Sequence, residues 1–137
     1  MPSSESLPLE LLPTPLAVCR LPADADVPPW AREPSAFVTV SRTPEELSIT
    51  IDQYRVPESA RAERDYRMFR VRGPLPLHLV GVLAALADPL AAAGLPIFAI
   101  STYDTDYVLV KEIDLARAVA ALEGAGHRIR IPAASSP

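Results

Sequence analysis

The sequence predicts an α+β fold in which antiparallel sheets carry helices on one face, arranged as two related modules over residues 1–60 and 61–137. Three observations carry this expectation. From Tyr66 onward, period-two stretches alternate with period-3.6 stretches in the order strand, helix, strand, strand, helix, strand. Within that order, Ile97–Lys111 (IFAISTYDTDYVLVK) reads as two short apolar strands around a polar tip. The first half repeats the strand pattern, but four prolines between Pro22 and Pro34 occupy the place of a long helix.

The elements follow in order. Met1–Leu7 is rich in Ser, Glu and Pro and is expected to be loose. Leu16–Leu21 (LAVCRL) reads as a first strand, and Pro22–Pro34 as a loop with one helical turn, closed onto the core by Trp30. Phe37–Arg42 and Leu47–Asp52 alternate apolar and polar residues as half-buried strands do, around a turn at Thr43-Pro44-Glu45-Glu46. The arginines 61, 64, 67, 70 and 72 are interrupted by Glu63 and Asp65, which favours a solvated linker over a phosphate-binding stripe. Tyr66–Val71 is the next strand, ended by Gly73-Pro74. Leu77–Leu86 has helical spacing, with Leu79, Leu83, Leu86 and Leu90 on one face, a kink or restart at Asp88-Pro89 and a stop at Gly94. After the hairpin, Asp114 is expected to cap a second helix with Leu115, Ala118, Val119 and Leu122 on its apolar face. His127–Ile131 reads as the last strand and Pro132–Pro137 as a tail. The second half is thus the split βαβ, or ferredoxin-like, unit.

The totals restrict function. Hydrophobic residues make up 49% and charged residues 22%, an ordinary globular profile, and the net charge of −4 argues against a nucleic-acid or anionic-membrane partner. A single cysteine, Cys19, excludes an intrachain disulfide and a multi-cysteine metal site, which fits a reducing cytoplasm. The first residues have acids and prolines where a signal peptide needs positive charge and an unbroken apolar run. No apolar run approaches the ~20 residues of a membrane span.

The Gly73-Pro74 turn, the stretch Gly81 to Asp88-Pro89-Leu90-Ala91-Ala92-Ala93, and above all Ile100-Ser101-Thr102-Tyr103-Asp104-Thr105-Asp106-Tyr107 resemble the ACT-domain proteins, small βαββαβ modules that bind amino acids as regulatory sensors. The likeness is to tandem-ACT proteins, including the cytosolic arginine sensors of the CASTOR type. It covers Tyr66–Ile131, and the first half looks like the degenerate partner module of bacterial relatives. The resemblance implies tandem ferredoxin-like (ACT) modules in a homodimer, with the ligand held where two modules meet. It places the ligand's α-amino and α-carboxyl groups on backbone at Pro76, Leu77, His78, Leu79, Val80 and Gly81 and at Pro96 and Ile97. It adds Thr102, Asp104 and Asp106 from the hairpin, with Asp106 reading the ligand's polar end. A turn at a helix start does offer free N–H groups to a carboxylate, and an aspartate pairs with an ammonium or guanidinium. This chain departs from the arginine sensors in having Leu77, His78, Leu79 and Val80 where they carry acids, so the resemblance here implies a smaller or more apolar amino acid.

Other classes fit the residues less well. Asp104 and Asp106, with His78, form a conceivable acid/base or metal set, but no activated nucleophile accompanies them and His127 is far off in sequence. RNA-recognition modules share this topology but need exposed aromatics on a basic sheet, and only Phe69 and Phe98 are candidates. A ligand-free dimerisation or scaffold module is the main alternative. The expectation is a cytoplasmic, non-enzymatic amino-acid-binding protein without cofactor or metal, nucleic-acid partner or membrane partner.

Overall fold

The computed structural model describes residues 6–75 and 79–131. Its chain divides into two compact units, residues 14–66 and residues 1–13 with 67–137. The chain passes from one unit to the other after Tyr66, and the residues up to Pro13 belong to the second unit.

That segment contains β1 (Pro8–Leu11), which the sequence did not announce. Four residues framed by Pro8 and Pro13 carry too little periodicity to be read as a strand. The sheet of this unit also contains the end of β5 (Ala62–Val71), β6 (Phe98–Ser101), β7 (Asp106–Lys111) and β8 (Arg128–Arg130). β6 pairs with β7 and β7 with β5. β1 then lies between β5, antiparallel with Leu9 opposite Val71, and β8, parallel with Leu9 opposite Ile129. The first and last strands of the βαββαβ unit are therefore separated by an N-terminal strand. Helices α1 (Val82–Ala92) and α2 (Leu115–Gly124) close one buried core over this sheet. Leu9, Phe69, Val71, Leu86, Leu90, Val108, Val110, Ala118 and Leu122 fill it.

Helix α1 starts at Val82 rather than Leu77. Gly81 precedes it at φ 86, a left-handed conformation that glycine adopts without strain, and this ends the possibility of a helix running in from Leu79. The buried face is accordingly Val82, Ala85, Leu86 and Leu90, while Leu79 and Leu83 are exposed. Pro89 lies inside the helix and has no N–H for the carbonyl of Ala85. The buried ring of His127 supplies the missing donor: Nε2 lies 2.8 Å from the Ala85 oxygen, and Nδ1 accepts the Leu7 N–H at 3.1 Å. One acceptor and one donor are both needed, so the ring carries its hydrogen on Nε2. His127 thus joins α1, the lead into β1 and the lead into β8. Helix α2 begins as expected, but Asp114 makes no side-chain capping bond; its carboxylate lies 4.0 Å from Arg117.

In the other unit, β2 (Leu16–Leu21), β3 (Val38–Arg42), β4 (Leu47–Asp52) and the start of β5 pair antiparallel in the order β3-β4-β2-β5. It has single 3-10 turns at Pro29–Ala31 and Gln53–Arg55 where full helices would stand. Trp30 packs against its core of Ala17, Cys19, Leu47, Ile49, Ile51 and Val56, as expected. Asp52 is buried because its two carboxylate oxygens accept the N–H groups of Ala36 and Phe37, each at 2.9 Å. The expected linker around Arg61–Arg72 is largely strand, β5, in which Arg67 pairs with Glu112 at 3.2 Å and Arg70 pairs with Glu10. Alternating charged residues give such a strand one wet face, which composition alone reads as linker.

Candidate functional site

The polar tip between the hairpin strands is tighter than its composition suggested. β6 and β7 pair through to Ser101 opposite Asp106, so the reversal occupies only Thr102 to Thr105. The Thr102 N–H donates to the Thr105 carbonyl at 2.9 Å and the Thr102 hydroxyl to the same oxygen at 3.2 Å. Thr105 is buried, and its hydroxyl donates to the Val71 carbonyl at 2.7 Å, tying the tip to the end of β5. The Leu75 N–H donates to the Asp104 carbonyl at 2.7 Å. Gly73 makes this approach possible: a Cβ there would stand 3.2 Å from the Asp104 oxygen and 3.3 Å from the Thr105 Cβ. Hydroxyls and turn residues that composition marks as binding groups are thus partly consumed in building the tip.

What remains faces an open cleft of about 390 Å³ between the tip and the start of α1. One wall is the helix start, Gly81, Val82, Leu83 and Ala84; the other is Ser101 through Asp106; Leu75 and Leu79 complete it. The first intrahelical bond runs from the Ala85 N–H to the Gly81 carbonyl at 2.9 Å. The N–H groups of Val82, Leu83 and Ala84 lie ahead of it, no side chain among the described residues caps them, and the first turn holds no acid. The positive pole of α1 therefore lines one wall. The opposite wall carries the carboxylates of Asp104 and Asp106, the latter accepting the Ser101 hydroxyl at 2.6 Å. Among the described residues that line it there is no lysine, arginine or histidine.

Of the residues expected from the sequence, Leu79, Gly81, Thr102, Asp104 and Asp106 come together in this cleft. Val80 is 87% exposed and does not line it. Pro96 and Ile97 precede β6, a strand's length from the tip, and Ile97 packs against the helix-side core. Pro76, Leu77 and His78 lie outside the described residues. Val82, Leu83 and Ala84 were not expected; the signal for them was Gly81 directly ahead of an apolar helical run, a helix start rather than a helix interior. Among the described residues, no three His, Cys, Asp or Glu side chains are grouped to hold a metal ion. No helix among them is long and apolar enough to cross a membrane.

Comparison with known proteins bears on the same region. A family model described as an ACT domain matches residues 61–124, and a second, described as an N-terminal domain, matches residues 15–59. The crystal structure of protein Atu0741 from Agrobacterium tumefaciens is similar at 30% identity over 97% of this chain and 98% of that one, with a TM-score of 0.89. VC0802 from Vibrio cholerae, described as a protein of unknown function and possible transport protein, is similar at 20% identity over 89% of this chain and 91% of that one, with a TM-score of 0.70. The regulatory subunit of aspartate kinase from Thermus thermophilus shares 13% identity over 85% of this chain and 97% of that one, with a TM-score of 0.52. The last two likenesses show the fold alone.

Proposed function

This chain belongs to one family with protein Atu0741 and carries an ACT domain over residues 61–124, and from that premise we propose that it is a non-enzymatic sensor of a small amino acid. ACT domains bind amino acids in regulatory roles. The observation that supports the reading is the pairing of opposite polarities across one cleft, free N–H groups at the start of α1 against the carboxylates of Asp104 and Asp106. A zwitterion matches that arrangement, its carboxylate toward the helix start and its ammonium toward the aspartates. Leu75, Leu79, Val82 and Leu83 make the described lining on the helix side apolar, which suits a small or aliphatic side chain better than arginine. Leu79, Val80, Leu83 and Tyr103 are exposed around the cleft, and a second copy of the chain in a homodimer would cover them and close it over the ligand. Binding then acts by favouring one packing of the dimer over another, in the cytoplasm and without a catalytic step.

Thermal unfolding of the purified protein against each of the twenty amino acids tests this. A ligand at about 100 times its dissociation constant adds about 2.7 kcal/mol of stability. We expect a raised midpoint with one or a few small amino acids, lost in Asp106→Asn. Absence of a shift with all twenty would remove amino-acid sensing. The alternative, a ligand-free dimerisation module, would then be favoured by the same exposed apolar rim and read out as a dimer in solution.

A further inference from the structure

We propose a second binding site, on the face of the sheet turned away from α1 and α2, where Arg72, Arg128 and Arg130 take the phosphate or pyrophosphate group of a small molecule. Leu9, Val71 and Ile129 belong to the helix-side core. Strand alternation therefore sends Pro8, Glu10, Arg70, Arg72, Arg128 and Arg130 to the opposite face. There Pro8, Arg72, Arg128 and Arg130, with the backbone of Leu9 and Ile129 between them, line a shallow groove of about 250 Å³.

The register brings the three cations together. The Arg72 N–H donates to the Pro8 carbonyl at 2.9 Å and the Arg128 N–H to the Leu7 carbonyl at 3.1 Å, so β1 lies between them. Two strand spacings put their backbones about 10 Å apart, and Arg130 follows Arg128 by roughly 6.6 Å along β8. Arginine side chains reach across such spans onto one anion of two or more charges, and their planar forks match phosphate oxygens. Glu10 is the carboxylate on this face, opposite Arg130 in register, and it is engaged by Arg70. Among the described residues, Arg72, Arg128 and Arg130 have no ion pair and no side-chain hydrogen bond.

Three cations side by side, without a counter-charge among the described residues, repel one another, and neighbouring like charges on a sheet are destabilising. The chain is acidic overall, with a net charge of −4 and 17 carboxylate side chains, yet none but Glu10 is placed here among the described residues. An anionic ligand removes that repulsion. A small one fits better than a nucleic acid: the groove is short, and among the described residues no aromatic lines it on which a base would stack. The site uses none of the cleft residues and stands independently of the amino-acid reading.

Calorimetric titration of the full chain with sodium pyrophosphate at low ionic strength tests the proposal. The expected result is binding that weakens as salt is raised, at least about tenfold weaker in Arg72→Gln and in Arg128→Gln, and unchanged in Asp106→Asn. All three arginines are exposed, so glutamine keeps the backbone pairing; should Arg128→Gln fail to fold by circular dichroism, Arg130→Gln carries the same measurement. Three results would overturn the proposal: no heat with millimolar pyrophosphate, equal affinity in the arginine variants, or a single-stranded oligonucleotide bound more tightly than pyrophosphate.

Discussion

Replacing His127 by phenylalanine removes two hydrogen bonds and keeps most of the ring's volume. The ring is 4% exposed and bonded at both nitrogens, to the Leu7 N–H and the Ala85 carbonyl. Both partners are backbone groups within the fold and lose the side-chain partner that His127 provides. A buried group stripped of its partner costs about 1–3 kcal/mol, so the pair should cost roughly 2–5 kcal/mol. For a chain of this size ~3 kcal/mol lowers the thermal midpoint by about 10 °C. The carbonyl half can be separated, because Ala85 is open only on account of Pro89. Pro89→Ala supplies the missing N–H, and in the His127→Phe background it should regain ~1 kcal/mol beyond its effect in the parent protein. Urea unfolding of the parent, the two single variants and the double variant measures that coupling. A His127→Phe loss under about 1 kcal/mol, or additivity within experimental error, would refute the account of His127 as the donor that Pro89 lacks.

Asp52→Ala leaves the N–H groups of Ala36 and Phe37 without their carboxylate and should cost about 2–4 kcal/mol by urea unfolding, whereas Asp106→Asn, on the exposed hairpin, should cost under about 1 kcal/mol. Gly73→Ala forces the Asp104 carbonyl and Thr105 to give way; a loss of roughly 1–3 kcal/mol is expected, together with weaker ligand-induced stabilisation because the tip lines the cleft. Burial pushes the Cys19 thiol above its ordinary range, with the Arg64 guanidinium opposing. The unfolded chain then releases this proton first, so the contribution is complete below the ordinary thiol range and declines as pH rises through it. Cys19→Ala should flatten the fall of stability with pH above ~8.5, and iodoacetamide should label the native thiol only as fast as the protein opens.

The outline of the second half was legible because its signals are local. Tyr66–Val71, Leu115–Leu122 and the strands flanking Ser101–Asp106 show their element type within a single stretch of sequence, although Met68 beside Phe69 and the run Val108–Val110 are buried without alternation. Asp104 and Asp106 were visible as candidate ligands for the same reason, since two carboxylates in a hairpin tip need only be adjacent in sequence. The start of α1 was misplaced by five residues: Leu79 and Leu83 continue the leucine spacing, and spacing does not register the left-handed turn that Gly81 introduces.

By itself the sequence determined the α+β class, the succession of elements from Tyr66 to Ile131, the absence of an intrachain disulfide and the carboxylate-bearing tip. Tertiary structure decided what depends on pairing between distant segments. Pro8–Leu11 becomes a strand only because β5 and β8 present edges to both of its sides. His127 becomes a buried connector because Pro89, 38 positions earlier, leaves a carbonyl open, as the numbering and the bond together show. Arg72 and Arg128 line one groove because β1 pairs with both of their segments. Periodicity reports which face of an element is apolar, whereas hydrogen-bond partners across a sheet are set by register, and register is a property of the assembled chain.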